Sequence, residues 1–155
     1  VENKMLIGIL SDTHGILREN ATDALQGVDT IVHAGDIGGP EIISALERIA
    51  PVKAVRGNTD GGGWAKTLPW TDMLSFNGSV FYVVHDLYSI DLDPDAAGVQ
   101  VVVSGHTHKP MIKYRGNTLY FNPGSASHRR HGGPMSVGRI LISDKGLQPE
   151  IITLD

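Results

Sequence analysis

The chain has 155 residues, 41% hydrophobic and 19% charged, with a formal net charge of −4 and no cysteine. Those figures fit one globular domain over residues 1–155, exclude disulfides and thiol chemistry, and disfavour general nucleic-acid binding, which calls for a cationic face. No apolar stretch approaches the ~18 residues of a membrane span, and the start VENKMLIGILSDTH lacks the parts of a signal peptide, so a cytoplasmic protein with no membrane partner is expected. The chain begins at Val1, so residues 1–4 ahead of Met5 are read either as native or as a remnant of expression.

The first half alternates apolar runs with amphipathic segments. MLIGIL, residues 5–10, reads as a buried strand, and residues 19–26 as a short helix. TIV at 30–32 is a second run. GGPEIISALERIAP then predicts a helix: Pro40 suits the first turn, Glu41 the positive end of the dipole, and Ile42, Ile43, Leu46, Ile49 and Ala50 make one apolar face. Residues 52–55 form a third run. This βαβαβ order predicts parallel strands with right-handed crossovers.

The second half changes character. Asn77-Gly78 between two apolar segments predicts a hairpin, residues 99–103 another strand, and MIKYRGNTLYF a second hairpin around Gly116-Asn117. Residues 136–142 and 147–154 alternate apolar and polar about the turn Asp144-Lys145-Gly146, as an antiparallel pair does.

Each apolar run ends in side chains able to bind a metal. MLIGIL leads to Asp12 and His14, TIV to Gly35-Asp36, VKAV to Gly57-Asn58 and Asp60, VFYVV to His85, and VQVVV to Gly105-His106-Thr107-His108. Open α/β sheets place ligands at the carboxyl ends of their strands. In an extended stretch His106 and His108, two apart, point to the same side and can aim at one cavity. Singly, each has a bland reading: Asp12 as a helix cap, Asp36 as a turn, Asn58 as a loop residue, His85 as a satisfied histidine at a strand end. The weight lies in the set and its order.

That ordered set, D-x-H, G-D, G-N-x-D, a lone His after a strand and G-H-x-H, resembles the calcineurin-like metallophosphoesterase superfamily. The short spacings look like its small single-domain bacterial and archaeal phosphodiesterases, and Asn122-Pro123-Gly124-Ser125 resembles a loop of that subgroup. The resemblance implies an α/β fold, a four-layer αββα sandwich of two mixed sheets flanked by helices. It implies two divalent ions, with manganese ahead of iron, zinc, nickel or magnesium. Asp12, His14 and His108 would bind one ion, Asn58, His85 and His106 the other, with Asp36 bridging. Asp36, Asn58, His85 and Asp60 form the implied catalytic set, Asp60 orienting a histidine or a loop amide. A water between the ions would attack phosphorus in line. The implied protein is a metal-dependent phosphodiesterase or phosphatase for a small phosphoester.

Two positions depart from the family pattern. Thr59 stands where many relatives carry a histidine that protonates the leaving group, so no general acid is identified. Asp86 replaces the glycine usual after His85. His128, Arg129, Arg130 and His131 are read as a solvated loop ahead of a substitute for that acid or a phosphate clamp, and His33 as a core or supporting residue. A non-catalytic scaffold of the same fold is the alternative function. The exposed hairpins leave room for a homo-oligomer.

Overall fold

The computed structural model describes residues 3–129 and 133–154. Arg130 and His131, named above with the solvated loop, lie outside them. Ten strands form two mixed five-stranded sheets. The first holds Met5–Leu10 (β1), Thr30–His33 (β2) and Val52–Ala54 (β3), with the long hairpin Met135–Ser143 (β9) and Gly146–Leu154 (β10). Its order is β10-β9-β1-β2-β3, parallel through β1, β2 and β3 and antiparallel from β1 to β9 and β10. The helices Glu19–Ala24 (α1) and Pro40–Glu47 (α2) make the two crossovers.

The second sheet holds Thr71–Phe76 (β4), Ser79–Val84 (β5), Val101–Val103 (β6), Met111–Arg115 (β7) and Thr118–Asn122 (β8), in the order β4-β5-β6-β8-β7. β5, β6 and β8 are parallel, and each edge strand joins by an antiparallel hairpin. Asn77 and Gly78 both have positive φ, 48° and 82°, as a type I′ turn requires.

Strand alternation sorts the apolar residues into layers. Between the sheets lie Ile7, Ile9, Val32, Phe81, Val83, Val101, Val103, Leu119, Phe121 and Ile140, all essentially buried. Gly138 is needed here: a Cβ on it would run into the ring of Phe121 from the other sheet. On the outer face of the first sheet Leu10, Ile31 and Val137 meet Ala21, Leu25, Ile42 and Leu46 of the helical layer. The outer face of the second sheet, Tyr82, Val84, Val102 and Tyr120, is covered by Leu87, Ile90 and Leu92. This fourth layer is thin, because its regular part is one 3-10 turn at Leu87–Ser89 and no described α-helix crosses it. Among the described residues no helix is long and apolar enough to span a membrane.

The two sheets therefore bring the carboxyl ends of β1, β2, β3, β5, β6 and β8 to one side of the molecule. Every motif named above follows one of those ends.

Candidate metal centre

Asp12 is fully buried just beyond β1. Its Oδ2 accepts the Ser11 hydroxyl at 2.7 Å and the His106 backbone N–H at 3.1 Å. Its Oδ1 has no hydrogen-bond partner, although it lies 3.2 Å from His108 Nε2, 3.6 Å from His14 Nε2 and 3.9 Å from His85 Nε2. Asp36 is divided the same way: Oδ1 accepts the Thr59 N–H at 3.0 Å, while Oδ2 stands 3.1 Å from His85 Nε2 and 3.8 Å from His14 Nε2. Each carboxylate gives one oxygen to the protein and turns the other inward.

The imidazoles are held to match. His85 Nδ1 donates to the Ala34 carbonyl at 2.7 Å, which leaves its lone pair on the buried Nε2, an atom without a hydrogen-bond partner. His14 Nε2 and His108 Nε2 face each other at 3.3 Å. His106 Nδ1 lies 3.2 Å from Asn58 Oδ1, and its ring meets that of His85 edge-on at 5.3 Å. Two donor groups emerge, Asp12 with His14 and His108, and Asp12 with Asp36 and His85; within each, the ligand atoms lie within 4.8 Å of one another. Asn58 and His106 extend the second group. Asp36 Oδ2 reaches towards both, and so does Asp12 Oδ1.

A buried carboxylate oxygen with no donor and a buried ring nitrogen beside it are costly in a dry site. Bound cations would remove the cost at both atoms. The donor set of carboxylate, imidazole and amide oxygen suits divalent manganese, iron or zinc, so these residues fit the metals that the sequence implies.

Charge follows the geometry. Burial works against the Asp36 carboxylate, yet the His85 ring beside it and the Thr59 N–H hold its pKa below the usual carboxylate range. Burial also disfavours charge on His85, but Asp36 and Asp12 outweigh it and raise the pKa above 6.5. His33 goes the other way: full burial, helped by His85, lowers it to about 3. His33 Nδ1 accepts the Gly35 N–H at 3.1 Å, so its proton is on Nε2, 3.0 Å from Thr13 Oγ1, which itself donates to the Ile37 carbonyl. It is a neutral prop between the first two motif loops.

The backbone is bent to make this arrangement. Asp12, His14, Asp36, His106 and His108 have φ of 57°, 46°, 55°, 71° and 62°; outside them the only non-glycine described residue with positive φ is the hairpin's Asn77. Left-handed geometry costs a non-glycine residue on the order of 1 kcal/mol, and such strain gathers at functional sites. The segment carrying His106 and His108 is therefore not extended, as the sequence reading took it to be. The two rings reach different donor groups because the chain twists between them.

Asp60 sits slightly apart, 4% exposed. Its carboxylate accepts the N–H groups of Ile37, Gly38 and Gly57 at 2.9, 3.1 and 2.9 Å, tying the loop after β2 to the loop after β3. Of its two expected tasks, it takes the loop amides. Asn122 Nδ2 donates to the Gly105 carbonyl at 3.0 Å and to Thr107 Oγ1 at 3.2 Å, and Ser125 Oγ donates to the Asp12 carbonyl at 2.9 Å; both shape the site from behind. Asp86 caps the 3-10 turn by accepting the Tyr88 N–H, and its other oxygen is 3.9 Å from His106 Nε2.

One residue means more than its sequence context suggested. His128, read as part of a solvated loop, packs its exposed ring edge-on against His14 at 5.2 Å and lies 6.4 Å from the ring of His108. Its Nδ1 contacts Ser127 Oγ, which donates to the Asp12 carbonyl at 2.8 Å. The signal in the sequence was its place three residues after Ser125 in the loop already singled out.

Two mixed sheets thus carry clustered carboxylates and imidazoles at their carboxyl ends, in two groups that could each hold a metal ion. The profile of the calcineurin-like phosphoesterase superfamily domain matches residues 5–145. The chain belongs to that superfamily. It is 34% identical over 160 residues to a probable metallophosphoesterase of Methanothermobacter thermautotrophicus, covering 96% of this chain and 92% of the relative. It is 31% identical to the phosphodiesterase YfcE of Escherichia coli, over 88% of this chain and 87% of that one. A solved archaeal phosphodiesterase superimposes with a TM-score of 0.79 and 25% identity, over 97% of this chain and 100% of its own. Vacuolar protein sorting 29 of Cryptosporidium parvum, at a TM-score of 0.78, 16% identity and 98% coverage of each chain, shares the fold.

Proposed function

We propose that this protein is a phosphodiesterase working with two divalent cations. Asp12, His14 and His108 would hold one, and Asn58, His85 and His106 the other, with Asp36 available to both. The observation that carries the reading is the pair of buried, unpartnered atoms, Asp12 Oδ1 and His85 Nε2. Both atoms face the clustered carboxylates and imidazoles, where a cation would satisfy them.

When bound, a cation pair supplies a nucleophile from water at neutral pH and offsets charge on the phosphoryl oxygens. The chain's own residues do the rest. The Ser11 hydroxyl and the His106 N–H fix the Asp12 carboxylate, and the Thr59 N–H fixes Asp36. The Ala34 carbonyl sets the tautomer of His85. No cysteine is present to act as a nucleophile. His128, exposed beside His14 and tied through Ser127 to the Asp12 backbone, would hand a proton to the leaving oxygen, the task for which position 59 offers no histidine. Asp86, next to His106, disfavours a second negative charge on the substrate there, which supports diesters over dianionic monoesters.

The test is hydrolysis of bis-p-nitrophenyl phosphate by metal-stripped protein before and after Mn²⁺, with Asp36→Asn alongside. Turnover that needs metal and vanishes in the variant is expected, with p-nitrophenyl phosphate the poorer substrate. Equal turnover with and without metal overturns the reading.

A further inference from the structure

Beside the centre, on the outer face of the second sheet, lies an open cavity of about 640 Å³. Its lining is ordered. Asp86, Gly105 and Thr107 belong to the loops that carry His85 and His106, so one end opens at the centre. Thr107, Lys109 and Pro110 also line a neighbouring cavity of about 660 Å³ that contains His106 and His108, so the two spaces meet along this loop. The walls are apolar: Leu87, Ile90 and Met111, with Tyr120 among them and the 96% exposed Tyr88.

Strand register gives the far end. Asn122, bonded to Gly105 and Thr107, pairs with Met111; Tyr120 pairs with Lys113; Thr118 pairs with Arg115. From Asn122 to Tyr120 the strand advances by two residues, roughly 7 Å. There the Arg115 guanidinium lies 4.8 Å over the Tyr120 ring. Among the described residues no carboxylate forms an ion pair with Arg115 or with Lys109. The cavity thus runs from a near end that carries both Asp86 and Lys109, along apolar and aromatic walls, to a cationic group with a free planar fork. Such a fork suits a phosphate or carboxylate held in its plane.

We propose that this cavity is the subsite for one esterified arm of the diester, and that the arm it takes has a planar aromatic body and a second anionic group beyond it. A nucleotide with a terminal phosphate has that chemistry. The inference rests on the phosphodiesterase reading for its orientation, but the binding surface stands on its own residues. An arm with no second charge leaves Arg115 unanswered, and a charge placed too close to phosphorus meets Asp86.

The test uses the Mn²⁺-loaded protein and two dinucleotides, pApA and ApA, which differ in the terminal phosphate. A preference for pApA of about tenfold or more in kcat/KM is expected, expressed in KM, and Arg115→Gln brings the ratio close to one. Arg115 is exposed on a hairpin, so the variant should fold. An unchanged ratio in the variant, or no preference in the parent, overturns the proposal. Calorimetric titration with AMP separates this from failure of the catalytic reading. Binding weakened about tenfold by Arg115→Gln, with no diester hydrolysed, keeps the subsite and sinks the diesterase. Hydrolysis of both dinucleotides with AMP binding indifferent to Arg115 does the reverse.

Discussion

Asp12 Oδ1 faces His85 Nε2 across 3.9 Å, both atoms buried and neither hydrogen-bonded. In the metal-free protein, burial works against a proton on His85, but the neighbouring carboxylates win and hold its pKa above 6.5. A folded pKa above the unfolded one stabilises the metal-free fold below pH 6.5, and that contribution is lost as pH rises through the raised pKa. Cation binding needs the neutral ring, so it strengthens in the opposite direction. The rise in Tm caused by Mn²⁺ should therefore be larger at about pH 8 than at about pH 6. Calorimetry in buffers of different ionisation enthalpy should show protons released on binding. A metal-induced Tm shift that does not change with pH contradicts this.

The motif glycines are fixed by close approach to residues of other motifs. A Cβ on Gly105 would press on Ser11 Oγ and lie 2.7 Å from Asp12 Oδ2; one on Gly57 would meet the Asp36 amide and carboxylate. Gly105→Ala should fold at a cost of about 1–3 kcal/mol, the usual penalty of overpacking. Because the displaced groups are the Ser11 hydroxyl and the Asp12 carboxylate it holds, metal affinity should fall by about tenfold or more, as when a ligand's supporting contact is lost. Urea unfolding and metal titration of the same variant check both parts. Unchanged affinity would show that Asp12 tolerates the shift.

His33 makes acid a stress on this fold. Its pKa is lowered to about 3, so between there and 6.5 the unfolded chain binds a proton that the native state refuses. Stability due to this group is complete above pH 6.5 and is lost as pH falls towards 3. Each pKa unit corresponds to about 1.4 kcal/mol. His33→Gln, whatever its stability at neutral pH, should show a flatter fall in unfolding free energy between about pH 6.5 and 4. Denaturant melts in EDTA over that range measure it; an identical slope removes His33 as the cause.

His128 should matter in proportion to how badly the leaving group needs a proton. Loss of a positioned proton donor typically costs 10²–10⁴-fold. His128→Ala should approach the lower end of that loss with alkyl or ribose leaving groups and change p-nitrophenyl ester hydrolysis little. Comparing kcat across a leaving-group series reads this directly. A uniform loss across the series would assign His128 to packing alone.

Much of this was legible in the chain. The strand ends were readable because buried strands in such a sheet are continuous apolar runs, and each run stops where polar chemistry begins, as at Leu10 and Val103. The hairpin at Asn77-Gly78 was readable because its turn needs positive φ at both positions. Other features depend on contacts far apart in sequence. The helix expected over 19–26 stops at Ala24, in a turn that leads to Gly27 with φ 85°, and the strand expected over 99–103 starts at Val101, after Gly98 with φ 75°. That His128 lies against His14 follows from the loop after β8 folding back over β1, through Ser125 and Ser127 bonded to the Asp12 carbonyl, and no local pattern encodes it. Which of its two expected tasks Asp60 takes was not legible, because the amides of Ile37 and Gly38 that it binds come from another loop.

The central claim is two cations held by these side chains. Its most direct test is an anomalous difference map from crystals grown with Mn²⁺. Two peaks are expected, about 3.5–4 Å apart, one against Asp12, His14 and His108, the other against Asn58, His85 and His106, with Asp36 touching both. One peak, or none, at saturating Mn²⁺ would contradict the account.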